Sequence, residues 1–142
     1  MSGAERLLAM ARQARERAYA PYSDFLVGCA IESKDGQVVL GGNVENACYR
    51  LGVCAEQSAL SAAQQAFGLE NVRRVAVVGG PRHADPQVAS DPVTPCGGCR
   101  QALAEAAQLA GEDIAIVCSD LSGDEVLETS VGALLPAAFT LD

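Results

Sequence analysis

Two short stretches of the chain carry side chains able to do chemistry together. TPCGGCRQALAE, from Thr94, sets Cys96 and Cys99 three residues apart, and VCAEQSAL sets Cys54 two residues before Glu56. Each runs into an Ala-rich segment without Gly or Pro, so the pattern predicts that all three cysteines lie at helix starts. Residues i and i+3 share a helix face, and Pro95 suits a helix start, where its missing N–H is not needed. Unpaired N–H groups at a helix N-terminus favour the thiolate, the form that binds metal. A redox pair uses the same feature, so Cys-Gly-Gly-Cys alone leaves three readings open: a thiol couple, half of a zinc site, or small apolar packing.

Cys54 and Glu56 separate these readings. Three thiolates on Zn²⁺ leave a fourth position for water, as in catalytic zinc sites, whereas structural zinc is closed by four ligands. Such a water is a nucleophile near neutral pH, and Glu56, a carboxylate that is not a ligand, can move its proton. A non-catalytic zinc-binding module would need a fourth ligand and give Glu56 no task. A thiol redox protein would leave Cys54 and Glu56 idle. Cys29 and Cys118 lie in apolar runs and read as small hydrophobes, Cys48 has no partner at ligand spacing, and His83 reads as a solvated loop residue.

The elements that must position these groups follow from periodicity. Residues 4–18 carry apolar side chains at helical spacing and stop before Pro21. FLVGCAIES and QVVLGG read as strands joined by a tight turn, with the Asp35-Gly36 pair suited to positive φ. Residues 54–67 form the next helix, VRRVAVVGG a third strand, and residues 81–95 a polar, Pro-rich loop long enough to suggest a role. A helix over 96–110, strands IAIVCS and DEVLETS, and a final turn VGALLPAAF complete the chain. Apolar runs such as VAVV and IAIV suit strands covered on both faces, and their alternation with helices predicts an α/β fold: a three-layer α/β/α sandwich with a five-stranded mixed sheet.

The 142 residues fit a single domain spanning 1–142, long enough to bury about two thirds of the unfolded chain's surface without disulfides. A net charge of −8, with ten Lys and Arg scattered along the chain, argues against nucleic acid, polynucleotide editing and anionic membranes as partners. No stretch reaches the roughly 20 apolar residues of a membrane span, and MSGAERLLAMARQARERAY interrupts its apolar positions with Arg and Glu. A cytoplasmic protein is expected, in whose reducing surroundings six cysteines point to metal or catalysis.

Cys-Ala-Glu together with Pro-Cys-x-x-Cys resembles the signature of zinc deaminases, in the variant with three cysteines and no histidine ligand. With AYAPYSDFLVG, GGNVENACYRLGVCAEQSAL, TPCGGCRQALAE and LLPAAF in order, the chain resembles the small homotetrameric cytidine deaminase family over nearly its whole length. The resemblance implies zinc-dependent hydrolytic deamination of cytidine and deoxycytidine to uridine and deoxyuridine, releasing ammonia, in pyrimidine salvage. A zinc-activated water would attack C4. Cys54, Cys96 and Cys99 would hold the zinc, and Glu56 would shuttle protons. Asn43 and Glu45 would bind the ribose 3′-hydroxyl, Phe25 would line the pocket, and the Ala55 backbone would contact the base. Tyr49 and Phe139 would complete a neighbouring subunit's site, so a homotetramer with shared sites is implied.

Two features depart from the family pattern. CAEQ replaces the usual CAER, so Gln57 stands where an Arg would offset thiolate charge. The loop over residues 81–95 is longer than usual and precedes the ligands, so it is expected near the pocket mouth. Both departures bear on substrate choice, and the alternative is the same chemistry on a modified or antibiotic cytosine nucleoside, as in blasticidin-S deaminases.

Overall fold

In the computed structural model, which describes residues 1–141, the run from Phe25 forms β1 (Phe25–Ser33). It pairs antiparallel with β2 (Val38–Gly42) on one side and β3 (Val72–Pro81) on the other. β3 pairs in parallel with β4 (Ala115–Ser119), and β4 antiparallel with β5 (Val126–Ser130). The described residues thus form a five-stranded mixed sheet in the order β2-β1-β3-β4-β5. Its parallel pair needs a long crossover, which contains α3 (Gly97–Ala110). Asp142, the last residue of the span expected to make one domain, lies outside the described residues.

Strand residues alternate between two faces, and each face has its own helices. Ala30, Ala76, Val78 and Val117 pack with Leu7, Leu8 and Ala11 of α1 (Gly3–Arg15). Cys29, Ile31, Val75, Val77, Ile116 and Cys118 pack on the other face with Ala59 and Ala63 of α2 (Ala55–Ala66) and Leu103 and Ala106 of α3. These are the three layers expected. Close approach depends on absent side chains: a Cβ on Gly28 would overlap the Ala11 carbonyl oxygen, and one on Gly41 would overlap the Ala59 nitrogen. Gly41 therefore lets α2, with its chemistry-bearing first turn, lie directly on β2.

Two local expectations need correction. The first helix runs over Gly3–Arg15 rather than 4–18. Ser2 and Glu5 form a capping box that starts it earlier. At its end the buried Arg15 donates to the carbonyls of Leu26, Gly80 and Pro81 at 3.2, 2.9 and 2.7 Å. The chain then turns so that Tyr19 can exchange backbone hydrogen bonds with Asn43 and Glu45, a tertiary pairing that ends the helix before its propensity does. The hairpin is also different: of Asp35 and Gly36, only Gly36 has positive φ, at 91°. The Asp35 carboxylate instead accepts from the Ser33 hydroxyl and the Gln37 amide.

Candidate active site

β2 ends at Gly42, and Val44 and Val53 then exchange backbone hydrogen bonds of 2.9 Å, closing a loop over residues 44–53. Inside it the Asn46 side chain accepts from the Cys48 N–H at 2.8 Å, and Tyr49–Leu51 make one 3₁₀ turn. The loop delivers Cys54 as the N-cap of α2, while the segment through Pro95 delivers Cys96 as the N-cap of α3. Cys54 and Cys96 therefore precede their helices instead of beginning them, and Cys99 lies within the first turn of α3.

The two helix starts converge. The sulfurs of Cys54, Cys96 and Cys99 all lie within 4.8 Å of one another, with Cys99 buried, Cys54 half-buried and Cys96 exposed. Three soft sulfur donors at this spacing suit one ion with metal–sulfur bonds of about 2.3 Å. The expected lowering of thiol pKa at helix starts occurs at one residue of the three. Backbone N–H groups of Cys99 and Gly98 and hydrogen bonds from the other two thiols hold Cys96 below the usual thiol range against its desolvation. Burial instead pushes Cys54 and Cys99 up, and at Cys99 the nearby Glu56 adds to the rise. A cation among the sulfurs would supply the charge that these buried thiolates lack. The residues fit zinc.

Glu56 is 5% exposed. Burial raises its pKa, opposed by its own backbone N–H and by the Cys99 thiol, so this carboxyl takes up a proton more readily than one in water. Gln57, the residue in place of Arg, points its amide Nε2 at Cys99 Sγ across 3.9 Å. Cys54, Ala55, Glu56 and Cys96 line a pocket of 190 Å³ together with Val27, Asn43, Val93 and Thr94. Cys29 and Cys118 are buried in the sheet, where desolvation raises both thiols, that of Cys118 to about 12.

The remaining expected contacts divide into two groups. Asn43 reaches the pocket wall with its amide fixed: Oδ1 accepts from the Val27 N–H at 2.9 Å and Nδ2 donates to the Phe25 carbonyl at 2.9 Å. Glu45, two residues on, faces a neighbouring hollow of 340 Å³ shared with Tyr22, Ser23, Asn46 and Tyr49. Phe25 is 38% exposed at the start of β1. Tyr49 and Phe139 do not line the cysteine pocket of their own chain; they are 80% and 68% exposed. Tyr49 meets the Tyr22 ring edge-on, with centroids 6.1 Å apart.

The long loop contributes less than its length suggests. Of its residues, Val93 and Thr94 reach the pocket, which Cys96 just beyond also lines. Farther back the Ser90 N–H donates to Asp120 at 2.9 Å, and the buried Asp120 also accepts from Ser122, Gly123 and Glu125. Arg100, beside Cys99, holds the loop end through the Pro95 carbonyl at 2.7 Å and the C-terminal segment through the Leu134 carbonyl at 3.0 Å. Val27, Val93, Thr94 and Arg100 were not picked out from the sequence as site residues. Val27 and Val93 look there like ordinary apolar residues, whereas the adjacency of Thr94 and Arg100 to the cysteines was a usable signal.

Comparison with known proteins bears directly on this arrangement. Residues 1–110 match the family described as the cytidine and deoxycytidylate deaminase zinc-binding region. The chain belongs to this family. It is 44% identical to a cytidine deaminase of Halalkalibacterium halodurans, over 96% of the chain and 93% of the relative. It is 40% identical to a cytidine deaminase of Sporosarcina psychrophila, over 96% and 90%. The crystal structure of cytidine deaminase from Burkholderia pseudomallei superposes with a TM-score of 0.83 at 41% identity, covering 98% of this chain and all of that one. Among the described residues of this deaminase family member, no helix is long and apolar enough to cross a membrane.

Proposed function

We propose that the chain is a cytoplasmic, zinc-dependent cytidine and deoxycytidine deaminase that releases ammonia and yields uridine and deoxyuridine. The observation that carries this reading is the buried Glu56 carboxyl beside three clustered cysteines, in a chain that belongs to the deaminase family. Cys54, Cys96 and Cys99 hold the zinc. When bound, zinc supplies Lewis acidity that makes a water nucleophilic near neutral pH.

The chain's own residues do the rest. Glu56 takes a proton from the attacking water and gives it to N3 of the cytosine ring as C4 becomes tetrahedral. It then takes the second proton of that oxygen and gives it to the amino group, which departs as ammonia while N3 keeps its hydrogen. A carboxyl whose pKa is raised by burial suits both directions of transfer. The 190 Å³ pocket is smaller than the roughly 300–1,000 Å³ of whole-ligand sites, so it takes the base, against the Ala55 backbone, and leaves the sugar outside. Asn43 at the pocket wall and Glu45 in the neighbouring hollow meet the 3′-hydroxyl, with Phe25 beside them. Tyr49 and Phe139, both exposed, complete the site of a neighbouring subunit in a homotetramer.

The test is ammonia release from zinc-loaded protein given a panel of cytosine and adenine nucleosides and free bases. Cytidine and deoxycytidine should react, and free cytosine far less. Turnover confined to adenine compounds, or to cytosine derivatives bearing antibiotic substituents, overturns the assignment.

A further inference from the structure

We propose that Ser23 is a positioning residue that makes the enzyme demand a free hydroxyl on the sugar, by locking Glu45 in place as a hydrogen-bond acceptor. The inference rests on the reading that Glu45 meets the sugar. It goes beyond that reading by identifying what orients the carboxylate and what kind of group the carboxylate can accept.

Glu45 is held from both oxygens. Oε1 accepts from the backbone N–H groups of Tyr22 and Ser23 at 3.0 and 3.2 Å, and Oε2 accepts from the Ser23 hydroxyl at 2.5 Å. The Ser23 hydroxyl cannot turn its proton elsewhere without cost, because its oxygen already accepts from the Phe25 N–H at 3.0 Å. One side chain thus ties the carboxylate to the start of β1, where Phe25 stands.

The turn carrying Ser23 is itself fixed. The next residue, Asp24, has φ of 58°, a left-handed conformation uncommon outside Gly, Asn and Asp. Arg82 holds it there: its backbone N–H donates to the Asp24 carbonyl at 2.7 Å, and its Nε to the Asp24 carboxylate at 2.8 Å. Backbone held in a sparsely populated conformation by a partner 58 residues away points to a constrained site.

The chemical consequence follows from the donor count. The Ser23 hydroxyl, helped by the two N–H groups and by Arg82, outweighs desolvation and holds Glu45 below the usual carboxylate range, so it stays ionised at neutral pH. An ionised carboxylate only accepts. Its ligand partner in the 340 Å³ hollow must be a donor, as a hydroxyl is. A deoxygenated carbon leaves the acceptor unpaired, and a phosphate at the same position meets like charge. If that donor is the 3′-hydroxyl, as the proposed function has it, a nucleoside with this hydroxyl free fits, and one carrying a 3′-phosphate does not.

The experiment compares kcat/KM for cytidine with that for 3′-deoxycytidine, on zinc-loaded wild type, Ser23→Ala, Ser23→Thr and Glu45→Gln. Ser23→Ala should shrink the preference for cytidine about tenfold, the scale of losing a hydrogen bond to a charged group, mainly through KM for cytidine. Ser23→Thr keeps the hydroxyl and should restore the preference. A purely structural Ser23 would depress both substrates equally, and that result overturns the proposal. If Glu45→Gln collapses the preference while Ser23→Ala leaves it intact, the positioning role fails and the sugar reading stands. If Glu45→Gln leaves the preference unchanged, the sugar reading fails and the role of Ser23 fails with it.

Discussion

In the cysteine pocket Cys99 and Ala55 are buried and Glu56 is 5% exposed, with walls drawn from two helix starts, β1 and the end of a loop of one chain. Tyr49 and Phe139, the aromatic rim of the proposed shared site, are 80% and 68% exposed. The backbone at Phe139 is tied to α3, since Gln101 donates to the Phe139 carbonyl at 3.1 Å. What the rim lacks is cover for its rings. Proton transfer needs a carboxyl withdrawn from water, which one chain achieves by folding around it. Aromatic surface exposed to solvent gains its hydrophobic contribution when a second surface closes on it. A buried carboxyl beside exposed aromatic rings is the arrangement that the proposed sharing of sites between copies would use.

Substitutions at the cysteines should separate the two regions most sharply. Cys54→Ala or Cys99→Ala should abolish both zinc content and turnover, while Cys29→Ala and Cys118→Ala should keep one zinc per chain. Metal analysis of purified variants decides, and a Cys54→Ala protein with full zinc would dissolve the pocket as drawn. Glu56→Gln comes next. It should retain fold and zinc yet lose at least the 10²–10⁴-fold typical of a general acid/base, measured as ammonia release.

The rim should respond more mildly and across subunits. Phe139→Ala should lower kcat/KM about tenfold, the scale of one aromatic contact, without loss of zinc. Mixed assemblies of Phe139→Ala and Glu56→Gln chains should regain activity above the mean of the two parents, because some sites then combine an intact Glu56 with a neighbour's intact Phe139. Absence of such complementation would return the rim to its own chain.

The smallest effect is expected at Gln57→Arg. A guanidinium near Cys99 favours the thiolate that burial now disfavours, so protons should compete less with metal. The pH at which a chelator strips half the zinc should move down by about one unit, with folding checked first by thermal melting. An unmoved midpoint would show that the protein already compensates the thiolate charge without a cation at this position.

Much of this design is local and therefore readable along the chain. Continuous apolar runs announced β3 and β4, the Ala-rich segments announced α2 and α3, and Cys-Gly-Gly-Cys and Cys-Ala-Glu announced the cysteine cluster, because each depends on side-chain type at fixed spacing within a few residues. The early end of α1 was hidden, since it is set by Tyr19 pairing with Asn43 and Glu45, more than twenty residues away in sequence. Val27 and Val93 were hidden as pocket walls for a similar reason: nothing beside them in the chain distinguishes a valine facing a ligand from one facing the core.

By itself, then, the sequence determined which cysteines can bind metal and on which elements they ride, and it offered Glu56 as the carboxylate expected to move protons. Only the tertiary structure decided that Cys96 carries the lowered thiol pKa while burial raises Cys54 and Cys99, that the long loop supplies a wall through Val93 and Thr94, and that Ser23 holds Glu45. Residue type and spacing set what a side chain can do, whereas desolvation, facing walls and hydrogen bonds between distant segments depend on which parts of the chain are brought together.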